Sequence, residues 1–331
     1  MDLDRRHLLG LVGVGALAGC LDDPDQPSSD STSSTDGRED YPNSSGAAGT
    51  QLPSCPDYGE RVDRVICDDA DGSGDEPIIL EPSTRTVEIG SPIEFTLRND
   101  SDARLATNFY NWRVDKHVDG RWNRVAPMGH NDPLMFVDPG DTHTWTVTPT
   151  NDGIDEGAPV EPAGGTETIA LAGVGPGAYA FRARGWVDGE RSEKILAFAA
   201  TFELEGESLE LAPTNAIEDV EREEREDGPG DRLVASSSRG DPDDEYHRSG
   251  AFELEVVEEP VEGEARSVIT EQLVRQDRLR DAVALVRSHD VSAVRIEEYD
   301  GTGPVFGRDG DEVYEYQGAF YRVRTRELED R

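Results

Sequence analysis

Between residues 78 and 205 the chain runs in short alternating stretches of apolar and polar residues, each cut off by Gly, Pro, Asn or Asp. An alternation of period two puts every second side chain on one face of a strand, and breakers this frequent interrupt any helix early. The pattern predicts strands at 84–89, 92–98, 107–116, 121–126, 142–148, 167–171, 178–184 and 196–204. Strands of this number and spacing suit a sandwich of two antiparallel sheets.

Individual residues sharpen that expectation. In the third run Tyr110, Trp112 and Val114 share one face and Asn111 and Arg113 the other, which makes Trp112 a core residue. Asp119-Gly120 then offers the positive φ angles of a tight hairpin turn into Arg121-Trp122. Further on, Gly175-Pro176-Gly177 is a turn, followed by the alternation Tyr179, Phe181, Ala183. A Tyr two residues ahead of an inward position resembles the tyrosine corner of immunoglobulin-like domains, with Phe181 where an antibody domain has its second Cys. With Phe95-Thr96-Leu97-Arg98-Asn99 and Asp138-Pro139-Gly140-Asp141 before Trp145, the stretch resembles the immunoglobulin-like domains of bacterial and archaeal surface proteins. The resemblance implies an immunoglobulin-like β-sandwich over 78–205. It lacks an inter-sheet disulfide and carries no chemistry.

Residues 206–249 are polar and acidic. From Glu218 to Glu245 the charge is strongly negative, as expected of a linker or long loop, with 218–226 a candidate exposed helix. The last part, 250–331, reads as a small α+β domain, so the expected fold class is mainly β with an α+β ending. A strand at 251–258 leads to a helix capped by Ser267 and running to about 288. In that helix Ile269, Leu273, Leu279, Val283 and Val286 lie near one face, and Glu271 and Arg275 form an i,i+4 pair. A strand at 291–298 and a hairpin 312–316 to 320–325, turned at Gln317-Gly318, complete a sheet for the helix to cover. This ending faintly resembles small haloarchaeal domains of unknown function.

The N-terminus carries an address. Arg5 and Arg6 precede an apolar run ending in Leu17-Ala18-Gly19-Cys20. An apolar core of about 12 residues is too short to span a bilayer as a helix, so residues 1–19 are expected to be a signal peptide. Leu17-Ala18-Gly19-Cys20 resembles a lipobox, which implies acylation of the Cys20 sulfur and a membrane partnership through that lipid. The Arg pair resembles a twin-arginine export signal, with Asp4 and Leu8 departing from the pattern; an ordinary positively charged n-region is the alternative. Residues 20–54 are poor in large apolar side chains and rich in Ser, Thr, Asp, Gly and Pro, as expected of a disordered, lipid-anchored stalk.

Composition agrees with an exposed, salty address. There are 71 acidic against 32 basic residues, a net charge of −39, and the only lysines are Lys116 and Lys194. Molar salt shortens the Debye length to about 3 Å and removes most of the self-repulsion of such a surface. Export signal and acidity together resemble those of a haloarchaeal surface lipoprotein, a resemblance that implies a location on the extracellular face of the cell membrane. The field argues against nucleic acid, since no basic stripe exists to neutralise phosphates. Outside the cell Cys55 and Cys67 are expected to form a disulfide closing the entry segment 55–77, with metal binding the weaker reading. Asn43 and Asn99 begin N-x-S patterns and are candidate glycosylation acceptors.

His143 shares the parity of Trp145 and Val147 and is expected at the core edge; His117, His130, His247 and His289 lack metal-ligand spacing. No Gly-x-Ser-x-Gly elbow occurs, and the acidic run 69–76 matches a calcium loop poorly. No catalytic residue, metal site or cofactor is expected. The leading reading is a non-catalytic envelope module binding a protein or glycan partner, with an inhibitor or accessory factor of an envelope enzyme as alternative. A hydrolase using dispersed carboxylates is the remote third. The candidate binding loop is 131–138, where Leu134, Met135 and Phe136 are flanked by polar residues.

Overall fold

The computed structural model describes residues 52–68, 76–158, 166–189, 194–225, 230–258, 260, 265–308 and 310–328. The chain is mainly β, with several mixed sheets, none closed.

Two sheets enclose the first core. One contains β1 (Arg64–Asp68), β3 (Thr86–Glu88), β5 (Leu105–Thr107), β6 (Arg113–Val118), β7 (Arg121–Ala126), β8 (Met135–Val137), β11 (Gly177–Val187) and β12 (Leu196–Glu205). Its main order is β1-β12-β11-β5-β8; β3 also joins β12, and β6 bridges β11 to β7. The other has the order β10-β9-β4-β2, from β2 (Ile78–Pro82), β4 (Ile93–Asn99), β9 (Thr142–Thr150) and β10 (Thr168–Ala172). The sheets meet through stacked rings, Phe95 of β4 lying 4.3 Å from Phe181 of β11, with Trp112, Trp145 and Phe202 around them. Pairing departs from the expected all-antiparallel pattern: β1 and β3 run parallel to β12, and β10 parallel to β9.

The long third run also differs from expectation. It is split into β5 and β6 by a turn in which Asn111 N donates to Asn108 O (2.9 Å) and Tyr110 N to Asn108 Oδ1. Trp112 is nonetheless buried, and Asp119 and Gly120 adopt φ of 49° and 74° in the β6–β7 turn.

The second core lies under a seven-stranded sheet of order β13-β14-β17-β15-β19-β18-β16. Its strands are β13 (Ile217–Glu224), β14 (Asp231–Ser237), β15 (Arg248–Val257), β16 (Ala265–Ser267), β17 (Ala293–Asp300), β18 (Glu312–Tyr316) and β19 (Ala319–Glu327). Two of these strands come from the acidic segment 206–249, where a linker or an exposed helix is expected. Leu233 and Ala235 are the reason: they alternate on β14 and are buried against the helix side, whereas β13 is held at the edge and exposed along nearly its whole length. The expected single helix is two, α1 (Thr270–Leu273) and α2 (Asp277–His289). Ser267 ends β16 rather than capping a helix; Ile269 is the N-cap of α1, and its N–H donates to Gln272 Oε1 (3.1 Å). Arg275 lies in the break, and its i,i+4 contact with Glu271 runs to the main-chain carbonyl (2.6 Å).

Polar groups join the two cores. Glu271, 3% exposed, accepts from Lys116 Nζ (2.5 Å) and from Gly175 N (3.1 Å). Arg275 donates to the Gly173 and Ala172 carbonyls, Gln272 to Arg124 O, and Arg280 to Ile154 O and Ala212 O. Because β6 and the Gly173–Gly175 turn both belong to the first sheet pair, α1 and the residues after it act as its polar strut.

Candidate functional site

Residues Arg5, Arg6, Leu17, Ala18, Gly19, Cys20 and Asn43 lie outside the described residues, as does most of the 69–76 run. Cys55 and Cys67 are bonded, with Cα atoms 6.0 Å apart. Asn99 is corrected as a glycan acceptor. Its side chain is fully buried and its amide nitrogen donates to Ala103 O and Val137 O, both at 2.9 Å, leaving no nitrogen for a sugar.

The segment expected as a binding loop is partly a strand. Met135–Val137 form β8, pairing antiparallel with β5 in the register Leu105 with Val137 and Thr107 with Met135. Asn99 ties its end down through Val137 O, and Val137 itself is in the core. Alternation therefore turns Phe136 outward. β8 ends its sheet, and no strand pairs with its other side among the described residues.

Apolar surface is concentrated here. Met128, Leu134 and Phe136 are 64%, 58% and 37% exposed, and only Val220, Tyr246 and Val256 are comparable large apolar residues elsewhere among the described residues. Arg104 places its guanidinium 3.9 Å from the centre of the Phe136 ring while pairing with Asp188 (2.6 Å), which orients the ring on the surface. Beside Leu134 a cavity of about 170 Å³ opens between Asn108, Asn111, Arg184, Trp186 and Ile195. Gly185 also lines it; a Cβ there would lie 2.5 Å from Ala106 O, so the close approach of β11 to β5 at that point depends on glycine. Asn108 Nδ2 fixes the rim by donating to Asn131 O (2.8 Å) and Asp132 Oδ1 (3.1 Å).

Buried charge lies behind this edge. Asp115 on β6 is fully buried and bonded to Arg113 Nε (2.6 Å), while Arg182 on β11 donates to Asn111 Oδ1 (3.2 Å). The Tyr58 ring covers them, with the Arg113 and Arg182 guanidinium carbons 5.5 and 5.2 Å from its centre. Burial pushes the Asp115 carboxyl above its ordinary range against the pull of Arg113, and lowers Arg182 to about 10. Tyr58 is held neutral for the same reason. The chain before β1 thus serves as a plug, bonded to the body by Cys55–Cys67 and by Trp122 Nε1 donating to Ser54 O (3.1 Å).

The histidines are dispersed. His143 stacks on Phe109 at 3.6 Å and bonds Thr166 O (2.6 Å), and burial lowers its pKa below the usual histidine value. His117 meets the edge of Trp122, His130 bonds Asn131 O, His247 accepts from Asp241 N, and His289 sits at the end of α2. No group of three or more metal-binding side chains occurs among the described residues. Another carboxylate cluster, Asp281, Glu298 and Asp300, is tied to Arg239 and Arg278 in a closed ion network. None of these groups converges on the β8 edge with acid–base or nucleophilic geometry. Sequence reasoning missed the Asp115–Arg182–Tyr58 cluster, because its members lie on three separate segments.

No protein-family model matches the chain, and no curated protein matches it. Among solved structures, the chain is similar to the Pseudomonas fluorescens alkylpurine DNA glycosylase AlkC bound to DNA containing an abasic site analog, at 15% identity and a TM-score of 0.21. The match covers 39% of this chain and 31% of that one, and a likeness this slight carries no argument about fold or activity.

Proposed function

We propose that this protein is a non-catalytic binding module of the cell envelope, tethered outside the membrane by a lipid on Cys20, that docks an extended segment of a protein partner along β8. The observation that carries the reading is the coincidence of a strand edge unpaired among the described residues with the exposed Leu134 and Phe136 side chains and an adjoining cavity. Strand addition uses main-chain hydrogen bonds for affinity and side-chain pockets for selectivity, and an edge this short resists pairing with itself. The sandwich is read as immunoglobulin-like. Tyr179 supports this by donating its hydroxyl to Gly175 O (2.7 Å) four residues upstream, as a tyrosine corner does, and so does the buried Trp112 beside Phe181. The acidic surface fits a halophilic setting.

The test has two arms. Crosslinking from a photoreactive side chain at position 134 in intact cells, in high salt, should recover one stoichiometric partner, lost in Phe136→Asp at unchanged melting temperature. Cys20→Ser should move the chain from the membrane to the medium. Recovery of the same partner by Phe136→Asp would remove β8 from the reading, and a soluble intracellular chain with Met1 retained would remove the tether.

A further inference from the structure

A second cavity, sharing no residue with the β8 edge, opens where the two cores meet. It has a volume of about 330 Å³, within the range of small-molecule sites. Its walls come from the β6–β7 hairpin and the Gly175–Pro176 turn on one side, and from the β16–α1 junction and the Gln317–Gly318 turn on the other.

One wall is the Glu271 carboxylate. Its Oε1 accepts from Lys116 Nζ and Gly175 N, with the Tyr179 oxygen 3.5 Å away, while its Oε2 accepts from none of the described residues and is not sealed off. A carboxylate in a side chain only 4% exposed thus keeps one oxygen for a donor from the cavity. That donor need not be cationic, because Lys116 already neutralises the charge. Asp119, Arg121 and Glu315 also line the cavity, so the walls carry nearly balanced charge. Around the cavity stand groups that both donate and accept, the hydroxyls of Ser208, Ser267 and Thr270 and the amides of Asn123 and Gln317. Between them Pro176, Leu209 and Ile269 supply apolar surface. Neutral, bifunctional polar groups around small apolar patches match a ligand with many hydroxyls and C–H faces.

We infer that this cavity is a saccharide-binding site, holding about one or two neutral sugar rings with a ring hydroxyl donating to Glu271 Oε2. The polar strut that joins the cores then doubles as the ligand contact, and saccharide stabilises the joint.

The experiment is titration calorimetry and saturation-transfer NMR on the full chain in high salt. The probes are glucose, galactose, mannose, N-acetylglucosamine, trehalose and maltose, with arginine and citrate as charged controls. Methyl glycosides alongside the free sugars distinguish a glycan-attached residue from a free reducing sugar. At least one saccharide should bind saturably at millimolar concentration or tighter, and Asn123→Ala and Thr270→Val should each weaken it about tenfold while melting as the parent does. Phe136→Asp should leave that affinity unchanged, which separates this site from the strand-docking edge. Absence of saturable binding by every sugar, binding unaffected by both lining variants, or tighter binding of arginine or citrate would overturn the assignment.

Discussion

Removing one partner of the Lys116–Glu271 pair should cost far more than removing both. The side chains are 12% and 4% exposed, so solvent screens them weakly, and each alone would be a nearly buried charge without a counter-ion. Breaking such a pair costs about 3–5 kcal/mol, whereas an exposed pair is worth about 1 kcal/mol or less. In Lys116→Met the Glu271 carboxylate keeps Gly175 N but loses its ammonium partner; in Glu271→Leu the ammonium loses its partner and Gly175 N its acceptor. The double variant removes both charges and leaves chiefly the Gly175 N–H unsatisfied, since the Tyr179 hydroxyl still has Gly175 O, a residual cost of about 1–3 kcal/mol. Chemical denaturation of the full chain and its three variants in fixed salt measures the cycle. Each single variant should lose about 3–5 kcal/mol, and the double no more than either single. Two additive losses below about 1 kcal/mol would refute the strut, because a solvent-screened surface pair behaves that way.

Other perturbations test the remaining features. The raised pKa of Asp115 means the folded chain holds that proton more tightly; the resulting stability is present below the ordinary carboxylate value and lost as pH rises through the folded one. Stability of Asp115→Asn relative to the parent, followed by denaturation, should therefore rise with pH just above that ordinary value. His143 has the opposite sense: its lowered pKa makes the parent lose stability as pH falls from the ordinary histidine value through the folded one, and His143→Phe should flatten that window. Replacing both Cys55 and Cys67 by Ser should lower stability by about 3 kcal/mol, read from denaturation midpoints with and without reductant. The peptide containing Asn99 should be unmodified by mass spectrometry, and Asn99→Ala should cost about 1–3 kcal/mol.

Local pattern carried much of the architecture. The runs around Trp145, Phe181 and Phe198 have clean alternation, and their strands β9, β11 and β12 begin within a residue of the expected positions. The hairpin β18–β19 turns at Gln317-Gly318, where both residues have positive φ. What was not legible depended on distant partners. β13 and β14 are too charged to declare themselves, and are strands because β17 offers β14 a parallel ladder. β8 is three residues long and acquires its identity from β5, so its sequence reads equally well as loop. The saccharide cavity draws walls from residues around positions 116, 175, 208, 270 and 317, and no spacing rule connects them.

The disulfide also determines how a pull on the N-terminal side would enter the folded body. Tension arriving from the N-terminal side crosses from Cys55 directly to Cys67, which sits in β1 and is laddered to β12 over the register Arg64–Leu196 to Asp68–Ala200. The intervening residues form a closed ring that bears none of the pull, so the Tyr58 plug stays seated over Asp115 and Arg182 while the chain is stretched. Reduction would route the same force through Tyr58, turning a slack ring into the first part of the fold to be peeled away.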